Sequence, residues 1–233
     1  MGDDEGYAAA ARDFGIEHVK DVECGASRLP LVNSMVRIAE ARARNELMLY
    51  VAADTLLFDD LVAAAGVVRK RFEKFCIVAG RHHIRLEEPI DFGAAGWADS
   101  IRARATGTTG DDIMAGDVFL YSRGLWGEIP AFSEGRTAVD NWLHYRTLER
   151  KGALVDATPA VMTLHQDHDY SHHPQGVQGV FYGADASENR RLAGGPRQML
   201  NRDSANWMLE ANGLRRPPGF LLRRLRTWRR ARV

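Results

Sequence analysis

Residues 46–54, "ELMLYVAAD", form a short run of apolar side chains that ends at a carboxylate. A continuous apolar run of this length is typical of a strand buried on both faces of a sheet. In the preceding segment, 28–45, Pro30 stands where a first helical turn tolerates proline, and the apolar residues follow a helical stripe. The pattern predicts a helix over about 30–45 and then a buried strand.

The next segments repeat this alternation of helix and strand. "DDLVAAAGVVRKRFEK", 59–74, opens with two acidic residues that favour a first helical turn, and "FCIVAG", 75–80, reads as a second buried strand. The glycine- and histidine-rich segment from 165 to about 200 is predicted to be a loop. Further strands are predicted in 116–123 and 153–165, and a further helix in 137–152. We therefore expect an α/β fold, a mixed sheet with substantial parallel character flanked by helices.

The charges are unevenly distributed along the chain. The 31 basic and 31 acidic residues cancel, but residues 214–233 contain eight of the basic ones and no acidic residue, which leaves 23 basic against 31 acidic residues elsewhere. An acidic body argues against nucleic-acid binding by the globular part. We expect one domain over 1–213 and a basic helical tail over 214–233.

The tail has an amphipathic pattern. Leu221, Leu225 and Trp228 fall at i, i+4 and i+7 with arginines between them, which suits an anionic membrane surface. A cationic terminus without a partner is an equal alternative. Vesicle co-sedimentation of the full chain and of a chain ending at Asn212 distinguishes the two, because equal sedimentation rejects membrane attachment.

The cysteines and the N-terminal sequence predict a cytoplasmic protein. Cys24 and Cys76 lack metal-ligand spacing, which indicates reduced thiols. The first 15 residues lack the pattern of a secretory signal, and no stretch reaches the roughly 18 apolar residues of a membrane-spanning helix. With the tail on a membrane, the protein would attach peripherally to the inner face.

Three acidic or basic residues are candidates for a ligand site. Asp54 ends the clearest predicted strand, and ligands in open α/β sheets bind beyond the carboxyl ends of strands, so Asp54 could bind a divalent cation or simply begin a turn. Asp140 stands early in a predicted helix and could act as a general base or only favour the helix start. Arg136 could pair with a phosphate or a carboxylate, or be exposed.

Four histidines and several aspartates are concentrated in "LHQDHDYSHHP", residues 164–174. His165 ends an apolar segment, so we expect its side chain to project toward the same edge as Asp54. His168, Asp169, His172 and His173 follow in a predicted loop, where exposure or a structural hydrogen bond is the better interpretation for each histidine.

Six sequence blocks follow one another along the chain: "LPLVNSMVRIAEARARNELMLYVAAD", "VAGRHHI", "GDVFLYSR", "EIPAFSEGRTAVDNWL", "VDATPAVMTLHQDHDYSH" and "SENRRLAGG". In these blocks the chain resembles a bacterial group of GT-A-type nucleotide-diphospho-sugar glycosyltransferases. The resemblance extends from about residue 2 to 210 in consistent order. It implies a Rossmann-like GT-A fold and transfer of a sugar from a nucleotide-diphosphate donor to a hydroxyl of a glycan or lipid-linked glycan.

The resemblance also implies roles for particular residues. Asp54 and His165 would hold Mg²⁺ or Mn²⁺, and Asp140 would be the catalytic base of an inverting reaction. Gly116 and Asp117 resemble acceptor-side positions. On the donor side, Asp3 or Asp4 would contact the ribose or base, although an N-terminal acidic pair is more often only solvated. Arg136 is a further donor-side candidate, from its sequence position alone.

The chain departs from the family pattern in two places. The metal motif is usually an acidic pair or an Asn-Ala-Asp type, whereas this chain has Ala52, Ala53 and Asp54, with one carboxylate. "GDDEG" at 2–6 resembles the turn after the second strand of the nucleotide-binding half, so we expect an N-terminally truncated GT-A domain. A non-catalytic truncated remnant that acts as a binding module and a zinc-dependent hydrolase are the rival hypotheses.

Overall fold

A computed structural model describes residues 1–105, 116–171 and 173–219. The chain divides into two compact units. The first comprises Met1–Asn45, Trp126–Val139 and Tyr170–Gly195, and the second comprises Glu46–Leu125, Asp140–Asp169 and Pro196–Val233.

Short helices and strands alternate through most of the described chain. The helices are α1 (Tyr7–Asp13), α2 (Val32–Arg42), α3 (Asp59–Val68), α4 (Trp97–Ala105), α5 (Val139–Glu149), α6 (Gly176–Tyr182) and α7 (Ala184–Leu192), with 3₁₀ turns at Pro196–Gln198 and Arg202–Ser204. The strands are β1 (Leu47–Val51), β2 (Thr55–Leu56), β3 (Phe75–Val78), β4 (Arg81–Ile84), β5 (Val118–Ser122), β6 (Ala153–Asp156), β7 (Thr163–Gln166), β8 (Trp207–Glu210) and β9 (Gly213–Arg215).

The nine strands found in the described residues all belong to the second unit and form two sheets. The larger sheet has the order β1-β5-β3-β6-β8-β9, in which β3, β6 and β8 are parallel and the other pairs are antiparallel. The smaller sheet has the order β2-β7-β4, with β7 antiparallel to β2 and parallel to β4. The prediction of an α/β fold with a mixed sheet flanked by helices is confirmed, and the architecture is compatible with a Rossmann-like fold.

The core of the second unit lies where α3 packs on the larger sheet. Val68, Phe75, Ile77 and Val155 are at most 1% exposed and belong to one apolar cluster. All four residues of β3 are buried, as the apolar run at 75–80 predicts. Burial of such side chains contributes roughly 1.5–3 kcal/mol each, which stabilises the packing of α3 on the larger sheet.

The prediction that 46–54 is buried on both faces is wrong. The strand forms as β1, but Leu49 is 45% exposed. Among the described residues β1 pairs only with β5, so it is the edge strand of its sheet. An apolar run does not distinguish an edge strand from a central one, because that depends on the strand order.

The predicted helices form with shifted ends, and one predicted loop is partly helical. The helix expected over about 30–45 is α2, Val32–Arg42, and the helices expected in 59–74 and 137–152 are α3 and α5. The loop prediction for 165–200 is wrong where α6 and α7 occur. Helix α7 has one large apolar residue, Leu192, and is held by Ala186 and Asn189, both fully buried in the first unit.

Asn189 provides a stability prediction for the first unit. Its Nδ2 donates to the carbonyl of Ser133, and its Oδ1 accepts the Ser133 N–H, both at 2.9 Å. Replacing Asn189 with Ala leaves two backbone groups without these partners, which is expected to lower the free energy of unfolding by about 2–4 kcal/mol. Urea unfolding measures the effect, with Ser187→Ala on the exposed side of α7 as the control. Equal stability of the two variants would contradict the prediction.

His144 of α5 provides a pH prediction. It is 1% exposed, and its Nδ1 lies 3.3 Å from the carbonyl oxygen of Leu200. Burial lowers the pKa of His144 from 6.5 to about 4. Between these values the unfolded chain binds a proton that the folded chain excludes, so stability is full above about pH 6.5 and falls by up to about 3 kcal/mol toward pH 4. Urea unfolding of His144→Gln is expected to vary less over this pH range, and an unchanged pH dependence would contradict the assignment.

The C-terminal segment and the cysteines bear on the remaining predictions. Leu214 and Arg215, the first two residues of the predicted tail, lie in β9, whereas Leu221, Leu225 and Trp228 lie outside the described residues. Cys24 and Cys76 are free thiols. No helix within 1–105, 116–171 and 173–219 is both long and apolar enough to span a membrane.

Candidate metal centre

Pairing within the smaller sheet brings Asp54 and His165 together. Thr55 of β2 is the register partner of His165 in β7, and Asp54 directly precedes that strand. The backbone N–H of Gln166 donates to the carbonyl of Asp54 at 2.8 Å, which fixes the register at this point. The side chains of Asp54 and His165 therefore approach each other, as the sequence predicts.

A second histidine completes a three-residue cluster. His165 Nδ1 lies 3.4 Å from Asp54 Oδ1, and His168 Nε2 lies 3.1 Å from Asp54 Oδ2. One ligand atom from each residue can be chosen so that all lie within 4.8 Å of one another. We call Asp54, His165 and His168 the candidate metal centre.

The hydrogen bonding of His168 favours a cation at this centre. Its Nδ1 lies 2.7 Å from the carbonyl oxygen of Asp169, so Nδ1 carries a proton and donates it. In neutral imidazole Nε2 is then a bare acceptor, and it faces a carboxylate oxygen at 3.1 Å. Two lone pairs repel at this distance unless a proton or a metal ion lies between them. A histidine that donates one ring N–H to a backbone carbonyl is the usual arrangement of a metal ligand.

His165 presents its Nδ1 to two carboxylates. Its Nδ1 is buried and makes no hydrogen bond to any described residue, although it lies 3.5 Å from Asp117 Oδ2 as well as 3.4 Å from Asp54. The His165 side chain is 11% exposed. A buried nitrogen between two carboxylates is well placed to share a cation with Asp54.

The electrostatics keep Asp54 ionised. Contact with His165 is the main cause that holds the pKa of Asp54 below its usual range, and the electrostatic interaction with His165 and His168 acts in the same direction. Burial of the carboxyl group opposes this effect. Asp54 is therefore a carboxylate at neutral pH, which is the form that binds a metal ion.

Asp117, which directly precedes β5, supports the centre. Arg81 Nη1 donates to both carboxylate oxygens of Asp117, at 2.8 and 2.9 Å. The two side chains are only 17% and 12% exposed, so this ion pair is sheltered from solvent. Arg81 thereby neutralises Asp117 and fixes it beside His165. Asp54 is therefore the carboxylate that supplies negative charge to the metal cluster.

Asp140 connects to the centre through Gly116 and Asp117. It stands in the first turn of α5, and its Oδ2 accepts the backbone N–H of Gly116 at 3.0 Å. Gly116 directly precedes Asp117, and a Cβ at Gly116 would lie 2.7 Å from Phe119 Cζ and 3.4 Å from Asp140 Cβ. Glycine thus permits the close approach of Asp140 to the backbone beside Asp117.

The remaining predicted residues belong to the first unit. Asp3 forms an exposed ion pair with Lys20 at 3.2 Å, and the Asp4 carbonyl accepts the N–H of Tyr7. Arg136 Nη1 donates to the carbonyl of Gly135 at 2.9 Å. These contacts are local and do not themselves indicate a donor site.

The sequence interpretation missed two contributors. His168 was assigned to an ordinary polar loop, although its position three residues after His165 could have suggested a shared ligand set. Arg81 stands in the block "VAGRHHI" without any motif that marks it as the partner of Asp117. His83, the register partner of His165 in β4, has its ring centre 5.4 Å from that of His165 and pairs with Asp167.

Comparisons with protein-family models, with curated proteins and with solved structures found no match for this chain.

Proposed function

We propose that this chain is a metal-dependent glycosyltransferase of GT-A type that uses a nucleotide-diphospho-sugar donor and a hydroxyl acceptor. The observation that carries the proposal is the convergence of two imidazole nitrogens on the Asp54 carboxylate, with Asp140 reached through Gly116 and Asp117. The order of the sequence blocks supports the class of reaction. Together they support the proposal of a metal ligand set and a base within one unit of the chain.

The imidazole of His168 supplies a ligand that compensates for the second carboxylate missing from the metal motif of this chain. The motif supplies one carboxylate, Asp54, where an acidic pair is usual. His168 adds a nitrogen ligand on the opposite oxygen of that carboxylate from His165. A set of one carboxylate and two imidazoles suits Mn²⁺ better than Mg²⁺, because Mg²⁺ prefers oxygen ligands.

In the proposed reaction, Asp140 receives the proton of the acceptor hydroxyl. The hydroxyl oxygen forms a bond to the anomeric carbon of the sugar, and the bond from that carbon to the diphosphate oxygen breaks with its electron pair leaving on the diphosphate. A bound cation would stabilise the charge of the departing diphosphate. Gly116 N–H holds one oxygen of Asp140, which orients the carboxylate toward its substrate. A single displacement of this kind inverts the anomeric centre.

The test is a screen of nucleotide sugars for donor hydrolysis and thermal stabilisation with and without Mn²⁺. We expect one donor to be turned over only with the cation, and His168→Ala to lower Mn²⁺ affinity by at least about tenfold, the scale of losing a metal-site interaction. His18→Ala is the matched control, since His18 lies in the first unit and contacts the Gly2 carbonyl. Metal binding without turnover of any donor would favour the non-catalytic binding module.

A zinc-dependent hydrolase is the second candidate, because two imidazoles and one carboxylate also match the ligand set of catalytic zinc sites. Elemental analysis of the purified protein distinguishes the two functions. Tightly held zinc that survives dialysis, together with hydrolysis independent of sugar nucleotides, would favour the hydrolase. Exchangeable Mn²⁺ and donor-dependent turnover would favour the transferase.

A further inference from the structure

The second unit contains a cavity at the amino ends of its parallel strands. Lys74 directly precedes β3, Gly152 precedes β6, and Trp207 begins β8. The cavity has a volume of about 500 Å³ and is open to solvent. Its lining includes no residue of the candidate metal centre. We call it the basic cavity.

Positive charge dominates the lining. Arg71, Lys74, Lys151 and Arg216 line the cavity, against the single carboxylate of Glu73. Among the described residues, the side chains of Arg71, Lys74 and Lys151 form no ion pair. In a body that is otherwise acidic, such a concentration of cations without carboxylate partners creates a local positive potential.

Aromatic side chains hold the two arginines at the wall. The Arg216 guanidinium lies 3.9 Å from the ring centre of Trp207, and its Nη1 donates to the Asn206 carbonyl at 2.8 Å. The Arg71 guanidinium lies 5.6 Å from the Trp207 ring centre and 5.9 Å from that of Phe72. Stacking of this kind fixes the orientation of a guanidinium and reduces the entropy lost when it binds an anion.

Lys151 occupies a backbone position that favours glycine. Its φ is 61°, in the left-handed region, where the chain leaves α5. A glycine in this position at a helix end would carry no strain from a Cβ. The adjacent Gly152 leaves no room for a side chain, because a Cβ there would lie 3.0 Å from both the Thr147 carbonyl oxygen and Leu125 Cδ1. Lys151 therefore lines the cavity from a backbone position that favours glycine.

We propose that the basic cavity binds a phosphate group, with Arg71, Lys74 and Lys151 as its ligands. A phosphate oxyanion accepts charge-assisted hydrogen bonds from several cations at once, which matches a cluster of donors without carboxylate partners. The phosphate belongs either to a free phosphorylated molecule or to a lipid headgroup, since both present the same oxygens. The site is separate from the proposed transferase centre and does not depend on it.

Titration calorimetry of the full chain with inorganic phosphate, in the presence of a chelator, tests the proposal. We expect Lys74→Gln to weaken phosphate binding about tenfold, the effect of losing one charge-assisted hydrogen bond. Lys70→Gln, an exposed lysine outside the cavity, is expected to bind as the parent does. His168→Ala is also expected to bind phosphate normally, which separates this site from the metal centre.

Lys151→Gly keeps the test independent of folding defects. The substitution removes the ammonium and relieves the left-handed backbone, so we expect weaker phosphate binding in a protein that unfolds at the same or a higher temperature. Phosphate binding that is undetectable in the parent, or equal in parent, Lys74→Gln and Lys151→Gly, would overturn the proposal.

Sedimentation with phosphatidylcholine vesicles that contain phosphatidic acid identifies the source of the phosphate. If the cavity takes a lipid headgroup, Lys74→Gln and Lys151→Gly sediment less than Lys70→Gln. If the three variants sediment equally, while Lys74→Gln and Lys151→Gly still bind phosphate more weakly than Lys70→Gln in the titration, the natural ligand is a free phosphorylated molecule.

Discussion

Replacing Asp54 with Asn is expected to weaken Mn²⁺ binding by about a hundredfold and to reduce sugar transfer to the same extent or more. Asp54 is the carboxylate of the candidate metal centre, and its two oxygens face His165 and His168. Asparagine retains the shape but removes the negative charge that a divalent cation requires. A loss of this size corresponds to about 2.7 kcal/mol of binding free energy.

The matched control is Asp59→Asn, which removes an exposed carboxylate in the first turn of α3. Calorimetric titration with Mn²⁺ and initial rates of donor turnover measure both variants. Equal Mn²⁺ affinity of Asp54→Asn and Asp59→Asn would show that the Asp54 carboxylate is not a metal ligand.

Replacing Asp140 with Asn is expected to lower kcat by about 10²–10⁴, the usual range for losing a general base. The amide oxygen of Asn can still accept the Gly116 N–H, so the local structure is retained, but an amide cannot receive the acceptor proton. Donor affinity and Mn²⁺ affinity are expected to stay close to those of the parent. This combination separates a base from a residue that only maintains the site.

Asp99→Asn, in the first turn of α4, is the control for Asp140→Asn because it removes a carboxylate from an equivalent helical position. Rates are measured at saturating donor, with the dissociation constant of the donor determined separately. A kcat within about twofold of the parent would remove Asp140 from the mechanism.

Much of the fold follows from sequence because its strands are continuous apolar runs. β3 and β5 lie at the centre of the larger sheet, and every residue in each of them is buried. β1 has an equally apolar sequence but lies at the sheet edge, since the pairing order depends on contacts between distant segments. The sequence does not predict α7 because small and polar side chains hold it in place, which periodicity does not detect. It does not predict α6 because that helix is only seven residues long and contains two glycines.

The candidate site was predictable where it depends on strand ends. Asp54 and His165 both follow apolar strand residues, and adjacent strands bring them together. His168 lies in irregular chain, and its position is set by the hydrogen bond of its Nδ1 to the Asp169 carbonyl. Arg81 lies in β4 of the smaller sheet, whereas Asp117 directly precedes β5 of the larger sheet. No local sequence pattern predicts their ion pair, because the two residues are distant in sequence.

The central claim is that Asp54, His165 and His168 bind one divalent cation. Anomalous diffraction from a crystal soaked in Mn²⁺ tests it most directly, because the anomalous peak locates the metal without reference to activity. We predict one peak in bonding contact with an oxygen of Asp54, with Nδ1 of His165 and with Nε2 of His168. A peak bound elsewhere, with these three side chains unligated and still in mutual contact, would contradict the account.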